Sequence, residues 1–251
     1  MSDGTKIVIV AAMEREISGL VQGWEWRWLD IPEGGFKAKC WTRGQVAAVA
    51  VGTGWERASL GTKVVIETFR PELVTSVGYS GSLTSELAVG DLLVPAQVVG
   101  FANATIHRTG LGDGILVTAA GVAGAAEKAE LARRYGAVAV DMEAAAVAEV
   151  AAAAGTRFAA VKAISDAADD RMEFLAAFVS PGGFRTAAFL AHVASRPWLW
   201  GAVARLGRNS QKAAATLTKA LQELAAEPEK FLEQYAQPGG FAQSTAPLGR
   251  K

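Results

Sequence analysis

Four short polar clusters sit directly after apolar runs: Met13-Glu14-Arg15-Glu16, Gly78-Tyr79-Ser80-Gly81, Asp141-Met142-Glu143 and Ser165-Asp166. In an α/β protein, ligands collect at the carboxyl ends of buried strands, so these positions are the first candidates for a site. Carboxylates placed there could hold a ligand or move a proton. They could equally serve the fold. Asp141 and Glu143 would complement the positive N-terminal end of the helix they open, Asp166 would cap the next helix, and Glu14 and Glu16 suit a first turn. For any one acid taken alone, the structural role is the commoner one.

The elements that must position these clusters alternate between strand and helix. Lys6 to Ala11 is a β-branched apolar run of the kind buried on both faces, and Met13 to Gln22 has helical spacing. Trp24, Trp26 and Trp28 alternate with charged residues and predict a strand with one indole face, followed by a turn at Pro32, Gly34 and Gly35. Strands are expected at Ala38 to Thr42 and Val46 to Val51. After Gly52-Thr53-Gly54 come a helix from Glu56 to Phe69, ending before Pro71, and strands at Leu73 to Gly78 and Leu92 to Val98. Helix Ala125 to Tyr135, strand Ala137 to Val140, helix Met142 to Ala154 and strand Phe158 to Ile164 continue the alternation. From Arg171 onward the chain reads as helical, with breaks near Pro181-Gly182-Gly183, Pro197 and Gly207. The pattern predicts an α/β fold: one domain over residues 1–236, with a mainly parallel, mixed twisted sheet flanked by helices and a helical C-terminal segment. Residues 237–251, rich in Gly, Pro, Ser and Gln, predict a flexible tail.

Composition narrows the partners. The chain has 251 residues, 51% of them hydrophobic, enough for a sizeable core without staples. Its 25 basic residues balance 25 acidic ones, so no net field draws it to nucleic acid or anionic lipid. A single cysteine, Cys40, excludes an internal disulfide, and with two histidines leaves little for a metal site. Met1 to Lys6 lacks the features of a signal peptide, and the alanine-rich runs are broken by Glu143, Glu149 and Arg157 before they reach membrane-span length. A soluble, cytoplasmic protein is expected. With no G-x-G-x-x-G after the first strand, a Rossmann dehydrogenase is disfavoured.

The acids carry more together than singly. Ala137-Val138-Ala139-Val140-Asp141-Met142-Glu143-Ala144-Ala145-Ala146, followed by Val161-Lys162-Ala163-Ile164-Ser165-Asp166-Ala167-Ala168-Asp169, resembles the signature of methylthioadenosine/S-adenosylhomocysteine nucleosidases. Ile9-Val10-Ala11-Ala12-Met13-Glu14-Arg15-Glu16 is similar to that family's first strand and catalytic turn. Ser80-Gly81-Ser82-Leu83 and Val89-Gly90-Asp91-Leu92 resemble its central glycine motif, so the similarity runs from Lys6 to Asp170.

The resemblance implies a nucleoside phosphorylase-like fold, hydrolysis of a purine nucleoside's N-glycosidic bond with release of adenine, no cofactor and a homo-oligomer. Cleaving that bond builds positive charge on the ribose and negative charge on the base, so a proton must reach purine N7. By resemblance Asp166 is the general acid, kept protonated by an apolar, partly closed pocket. Glu143 holds the ribose hydroxyls and stabilises the cationic transition state, Met142 packs beside the ribose, and Glu16 orients the attacking water. Ser165, Tyr79, Ser80, Gly81, Val122 and Ala123 complete the implied substrate-binding set. The turns Gly52-Thr53-Gly54 and Gly78 to Ser82 would bring backbone N–H groups to an anion or the water.

Some positions depart from the family. Its phosphorylases hold phosphate through an arginine before the central glycine turn and a serine within it, where this chain has Ser76 and Tyr79. Water is therefore the expected nucleophile. Arg15, Arg43 and Arg57 are the other candidates for phosphate, though lone arginines are more often surface residues. The segment Leu116 to Ala123 lacks the aromatic residue and the aspartate expected of an adenine pocket. His107, alone in a predicted loop, reads as solvated rather than catalytic. Arg196-Pro197-Trp198-Leu199-Trp200 through Gln211-Lys212 resembles the tail of phosphorylase-like proteins associated with hopanoid synthesis, which implies an adenosyl-lipid substrate. The seven tryptophans fit core or subunit interface better than a lipid contact. Two alternatives stay open, a phosphate-dependent purine nucleoside phosphorylase and a non-catalytic nucleoside-binding module.

Overall fold

The computed structural model describes residues 5–102, 104–170, 177–180, 183–196, 199–237 and 246–247. The chain opens with β1 (Ile7–Ala11), α1 (Glu14–Ile17), β2 (Glu25–Ile31), β3 (Phe36–Arg43), β4 (Val46–Ala50), α2 (Trp55–Phe69) and β5 (Leu73–Ser82). It continues through β6 (Leu92–Leu93), β7 (Gln97–Gly100), β8 (Thr105–Arg108), β9 (Ile115–Thr118), α3 (Ala125–Tyr135), β10 (Ala139–Asp141), α4 (Ala144–Ala153) and β11 (Arg157–Asp166). After these come β12 (Val179–Ser180), β13 (Gly183–Phe184), α5 (Thr186–Ala194), α6 (Trp200–Ala226), α7 (Pro228–Tyr235) and β14 (Ala246–Pro247).

One mixed sheet of 12 strands organises the fold. Its centre is parallel: β1 lies between β4 and β5, and β11 lies on the other side of β5. A second parallel group, β7, β9 and β10, joins the first through an antiparallel pairing of β10 with the end of β5. Antiparallel β3 and β2 extend one edge, and β8 and β14 the other.

Because successive side chains point to opposite faces, β1 feeds two cores. Val8 and Val10 pack with α2 and α4 on one face, and Ile7, Ile9 and Ala11 with α6 and α7 on the other. Five alanines of α4, each at most 1% exposed, let that helix lie close to the sheet and to α2. At roughly 25 cal/mol per Å² of apolar surface removed from water, these two layers supply the main favourable term for folding. Among the described residues, no helix is long and apolar enough to cross a membrane.

Several elements differ from the sequence reading. α1 is a single turn, Glu14–Ile17, and the chain goes on in tight turns closed by the Leu20 and Val21 N–H groups on the Ile17 carbonyl; α6 packs directly against it there, since a Cβ at Gly19 would lie 2.3 Å from the Thr218 hydroxyl. Pro95 cannot donate to a ladder, so the strand expected from Leu92 to Val98 is two strands, β6 and β7. The Gly78 to Ser82 segment is not a turn but the second half of β5, and β11 likewise runs on to include Ser165 and Asp166. The region after Arg171 is not wholly helical, since β12 and β13 form a hairpin, and α6 passes through Gly207 unbroken. The expected breaks at Pro181-Gly182 and Pro197, and most of the expected tail, lie outside the described residues.

Candidate active site

All ten positions implied by the resemblance line one cavity of about 350 Å³: Glu16, Tyr79, Ser80, Gly81, Val122, Ala123, Met142, Glu143, Ser165 and Asp166. They arrive from the ends of β1, β5, β10 and β11 and from the loop before α3. Phe189 from α5 and Val203, Leu206, Gly207 and Ser210 from α6 close the remaining side.

Two glycines of β5 make room for the acids. At Gly78, whose φ of +144° already suits glycine, a Cβ would lie 2.8 Å from Glu16 Oε1. A Cβ at Gly81 would lie 2.6 Å from Asp166 Oδ2. Three residues of extended chain separate them, on the order of 10 Å. The cavity thus has an acid at each of two stations along one strand.

At the first station, Glu16 is 5% exposed and accepts from Met13 N at 2.8 Å and Tyr79 N at 3.3 Å. Burial raises its pKa against those N–H groups and the positive charge of Lys162. Glu143 accepts at 2.8 Å from Gly54 N. The group met by the Gly52-Thr53-Gly54 turn is therefore a carboxyl of the chain itself. Burial, reinforced by Asp141 and Glu16, pushes Glu143 up to about 8 despite the opposing pull of Lys162 and the Gly54 N–H.

Beneath these acids lies Lys162, 1% exposed in the middle of β11. Its ammonium pairs with Asp141 at 2.8 Å and bonds to Ser76 Oγ at 3.1 Å. Burial works against that charge, but Asp141 and Glu143 outweigh it and hold the lysine above its ordinary value. Asp141 also accepts from Thr118 Oγ1 at 2.6 Å and from the Ala144 N–H at 2.9 Å, so it does serve the start of α4. Thr53 Oγ1 and Ser80 Oγ are buried at the cavity with no partner among the described residues. Buried hydroxyls are ordinarily hydrogen-bonded, so both are poised for a ligand.

At the second station, β11 bulges at Ser165, so that Ile164 faces Ser80 while Asp166 faces Gly81. The bulge turns the Asp166 carboxylate into the cavity. Among the described residues no helix starts directly after it, for Ala167 to Asp170 form a turn in which the Asp170 carboxylate takes the Ala167 N–H at 2.8 Å. Ser165 Oγ donates to Asp166 Oδ1 at 2.7 Å, and Lys128, 1% exposed on α3, donates to Oδ2. Asp166 is an ion-paired carboxylate, where an isolated acid in an apolar pocket was expected.

Of the other candidates, Arg15 lines the cavity with its guanidinium 5.9 Å from the Tyr79 ring centre. Arg57 stacks over Phe36, and Arg43 lines a separate cleft beside Lys6 and Gln45. His107 is not a solvated loop residue. It is buried in β8, where burial lowers its pKa, and it does not line the cavity. Trp24 and Trp41 belong to the core, whereas Trp26 and Trp28 are 55% and 53% exposed on the outer strand β2.

Lys128, Lys162 and the side chain of Thr53 have no role in the sequence pattern, which gives Thr53 only a place in a backbone turn. Signals for the lysines existed. Lys162 interrupts an apolar strand, and Lys128 shares a buried helical stripe with Leu131 and Tyr135, places where a charge needs a partner.

The model of a family described as the phosphorylase superfamily matches residues 6–112 and 104–195. The chain is 30% identical over 203 residues to the 5′-methylthioadenosine/S-adenosylhomocysteine nucleosidase of Geobacillus thermodenitrificans, covering 66% of this chain and 85% of that protein. It is 31% identical over 99 residues to the Shewanella halifaxensis protein of the same description, covering 37% of this chain but only 41% of that protein. In structure it resembles the Helicobacter pylori 5′-methylthioadenosine/S-adenosylhomocysteine nucleosidase, with a TM-score of 0.66 at 22% identity over 90% of this chain and 100% of that one. The futalosine hydrolase of the same species gives 0.65 at 21% identity over 89% and 98%. At such identities the structural likeness is one of fold. On the family match, which spans most of its length, the chain belongs to the phosphorylase superfamily.

Proposed function

We propose that the protein is a purine nucleosidase: it uses water to cleave the N-glycosidic bond of a 5′-substituted adenosine and releases adenine. The observation that carries this reading is the placement of acids at two stations of one cavity, Glu16 and Glu143 at one and Asp166 at the other. A ribose between them meets carboxylates where its positive charge develops, and its base meets the group from which N7 takes a proton. Glu16, held by the Met13 and Tyr79 N–H groups at the cavity and with its pKa raised by burial, suits a base that takes a proton from water. Glu143 and the unpartnered Thr53 hydroxyl face the ribose hydroxyls, Met142 packs beside the sugar, and Ser80, Val122 and Ala123 line the slot for the base. Methylthioadenosine, S-adenosylhomocysteine and an adenosyl lipid are the substrates we favour, the last because Phe189, Val203 and Leu206 make the closing wall apolar.

Purified protein should release adenine from such nucleosides in phosphate-free buffer, with the base identified by chromatography. No base from any of the three would overturn the proposal. A second reading, a phosphate-dependent phosphorylase, is favoured only by Arg15 at the cavity. It requires that release stop without phosphate. We also propose a homo-oligomer working in the cytoplasm, because bare indoles such as Trp26 and Trp28 commonly mark a subunit contact.

A further inference from the structure

Lys128 lines the cavity and is nevertheless 1% exposed. Its ammonium donates to Asp166 Oδ2 and, at 2.6 Å, to the Ala167 carbonyl. Across the carboxylate, Ser165 Oγ holds Oδ1 at 2.7 Å. The pair lies flat against Gly81, where a Cβ would come within 2.6 Å of Asp166 Oδ2 and 3.2 Å of Lys128 Cε. One strand position is thus without a side chain where an ion pair occupies the space. Burying two charges costs several kcal/mol each, and well-packed apolar residues of the same volume would stabilise the fold as well or better. Packing alone does not explain the pair.

We infer that Lys128 is the positioning residue that supplies and restores the proton Asp166 passes to the departing base. The inference rests on the nucleosidase reading. As the glycosidic bond breaks, its electron pair moves onto the base and N7 becomes strongly basic. An N–H bond of Lys128 breaks, its electron pair stays on the amine nitrogen, and the proton goes to the Asp166 carboxylate. The carboxyl then gives a proton to N7, where the new N–H bond uses the N7 lone pair. Asp166 is again a carboxylate and Lys128 a neutral amine, which takes a proton from water once the base has left. Asp166 need not be protonated before substrate binds. The ammonium fixes its orientation and holds the proton in reserve.

The test compares 5′-methylthioadenosine with its N7-methylated derivative, whose base already carries the positive charge and leaves without a proton. Lys128→Met should lower kcat on the first by roughly 100-fold or more with little change in KM, and leave the second within a few fold of wild type. Lys128→Arg keeps a cation on Asp166 but holds its protons far more firmly, so it should not restore the first substrate. Should Lys128→Met fail to fold, Lys128→Gln keeps a donor of similar reach and must show the same selectivity between substrates. Equal losses on both substrates in the folded variant, or near-wild-type activity in Lys128→Arg, would overturn the inference. If wild-type protein cleaves S-adenosylhomocysteine or the adenosyl lipid instead, the same comparison runs on that nucleoside and its N7-methylated derivative; release of base from none of the three fells the nucleosidase reading, and the inference with it.

Discussion

Replacing Glu143 by glutamine should stabilise the protein while disabling it, and the gain should grow with pH. The folded chain holds this carboxyl at about 8, mainly by burial and the neighbouring charge of Asp141, against an ordinary value of 4.5. A group raised on folding contributes stability that is complete below the unfolded value and is lost as pH rises through the folded one. Above pH 8 the native state therefore carries an ionised, buried Glu143. The full displacement corresponds to roughly 4–5 kcal/mol. Asp141 and Lys162 share that field and readjust when the charge is removed, so we expect about 2 kcal/mol to be recovered. For a chain of this size that is roughly 4–8 °C in Tm. Glutamine is nearly isosteric and its carbonyl can still accept from Gly54 N, so the native hydrogen bond survives. Melting wild type and Glu143→Gln by calorimetry should give nearly equal Tm at pH 5 and a higher Tm for the variant at pH 9. Base release assayed at pH 9, where Glu143 is ionised in the wild type, should fall by roughly 100-fold or more, since the charge facing the ribose cation is gone. A Tm difference that stays flat or shrinks between those pH values would refute the reasoning.

Three further substitutions probe the supports of the site. Lys162→Met leaves the fully buried Asp141 carboxylate without its cation, which should cost about 3–5 kcal/mol; adding Asp141→Asn should recover part of it, and a loss under 1 kcal/mol in urea unfolding would contradict the assignment. Gly78→Ala combines an unfavourable φ with contact on Glu16 and should cost about 2 kcal/mol, whereas Gly81→Ala, strained only by Asp166 and Lys128, should lose activity more than stability. Urea midpoints measured beside rates of base release separate the two. Serine at both Trp26 and Trp28 should change folding stability by no more than about 0.5 kcal/mol yet shift sedimentation to a smaller species. A wild-type monomer at micromolar concentration would sink the oligomer proposal.

The strength of local pattern decided what could be read in advance. Helix Ala125 to Tyr135 was legible to the residue, because charged residues alternate with a buried stripe and Gly136 follows in the left-handed conformation. The central strands were legible as uninterrupted apolar runs. Less legible were β8 and β9, whose four residues each are too few to set a burial pattern that stands out from a loop. The helix expected at Met13 was overestimated because its apolar spacing continues through Leu20 and Val21, which pack against α6 from turns instead of a helix.

By itself the sequence determined the alternation of strand and helix, and with it the sheet ends at which Glu16, Glu143 and Asp166 collect. These are properties of neighbouring residues, written in local order. Only the tertiary structure decided the electrostatic partner of each acid. Lys128 and Asp166 are 38 positions apart, and Gly54 and Glu143 are 89 apart. Whether Asp166 is a lone acid or half of an ion pair depends on which helix crosses its strand and on one bulge at Ser165. Burial makes such long-range pairings energetically decisive, because a charge taken from water must find its counter-charge wherever the fold brings one.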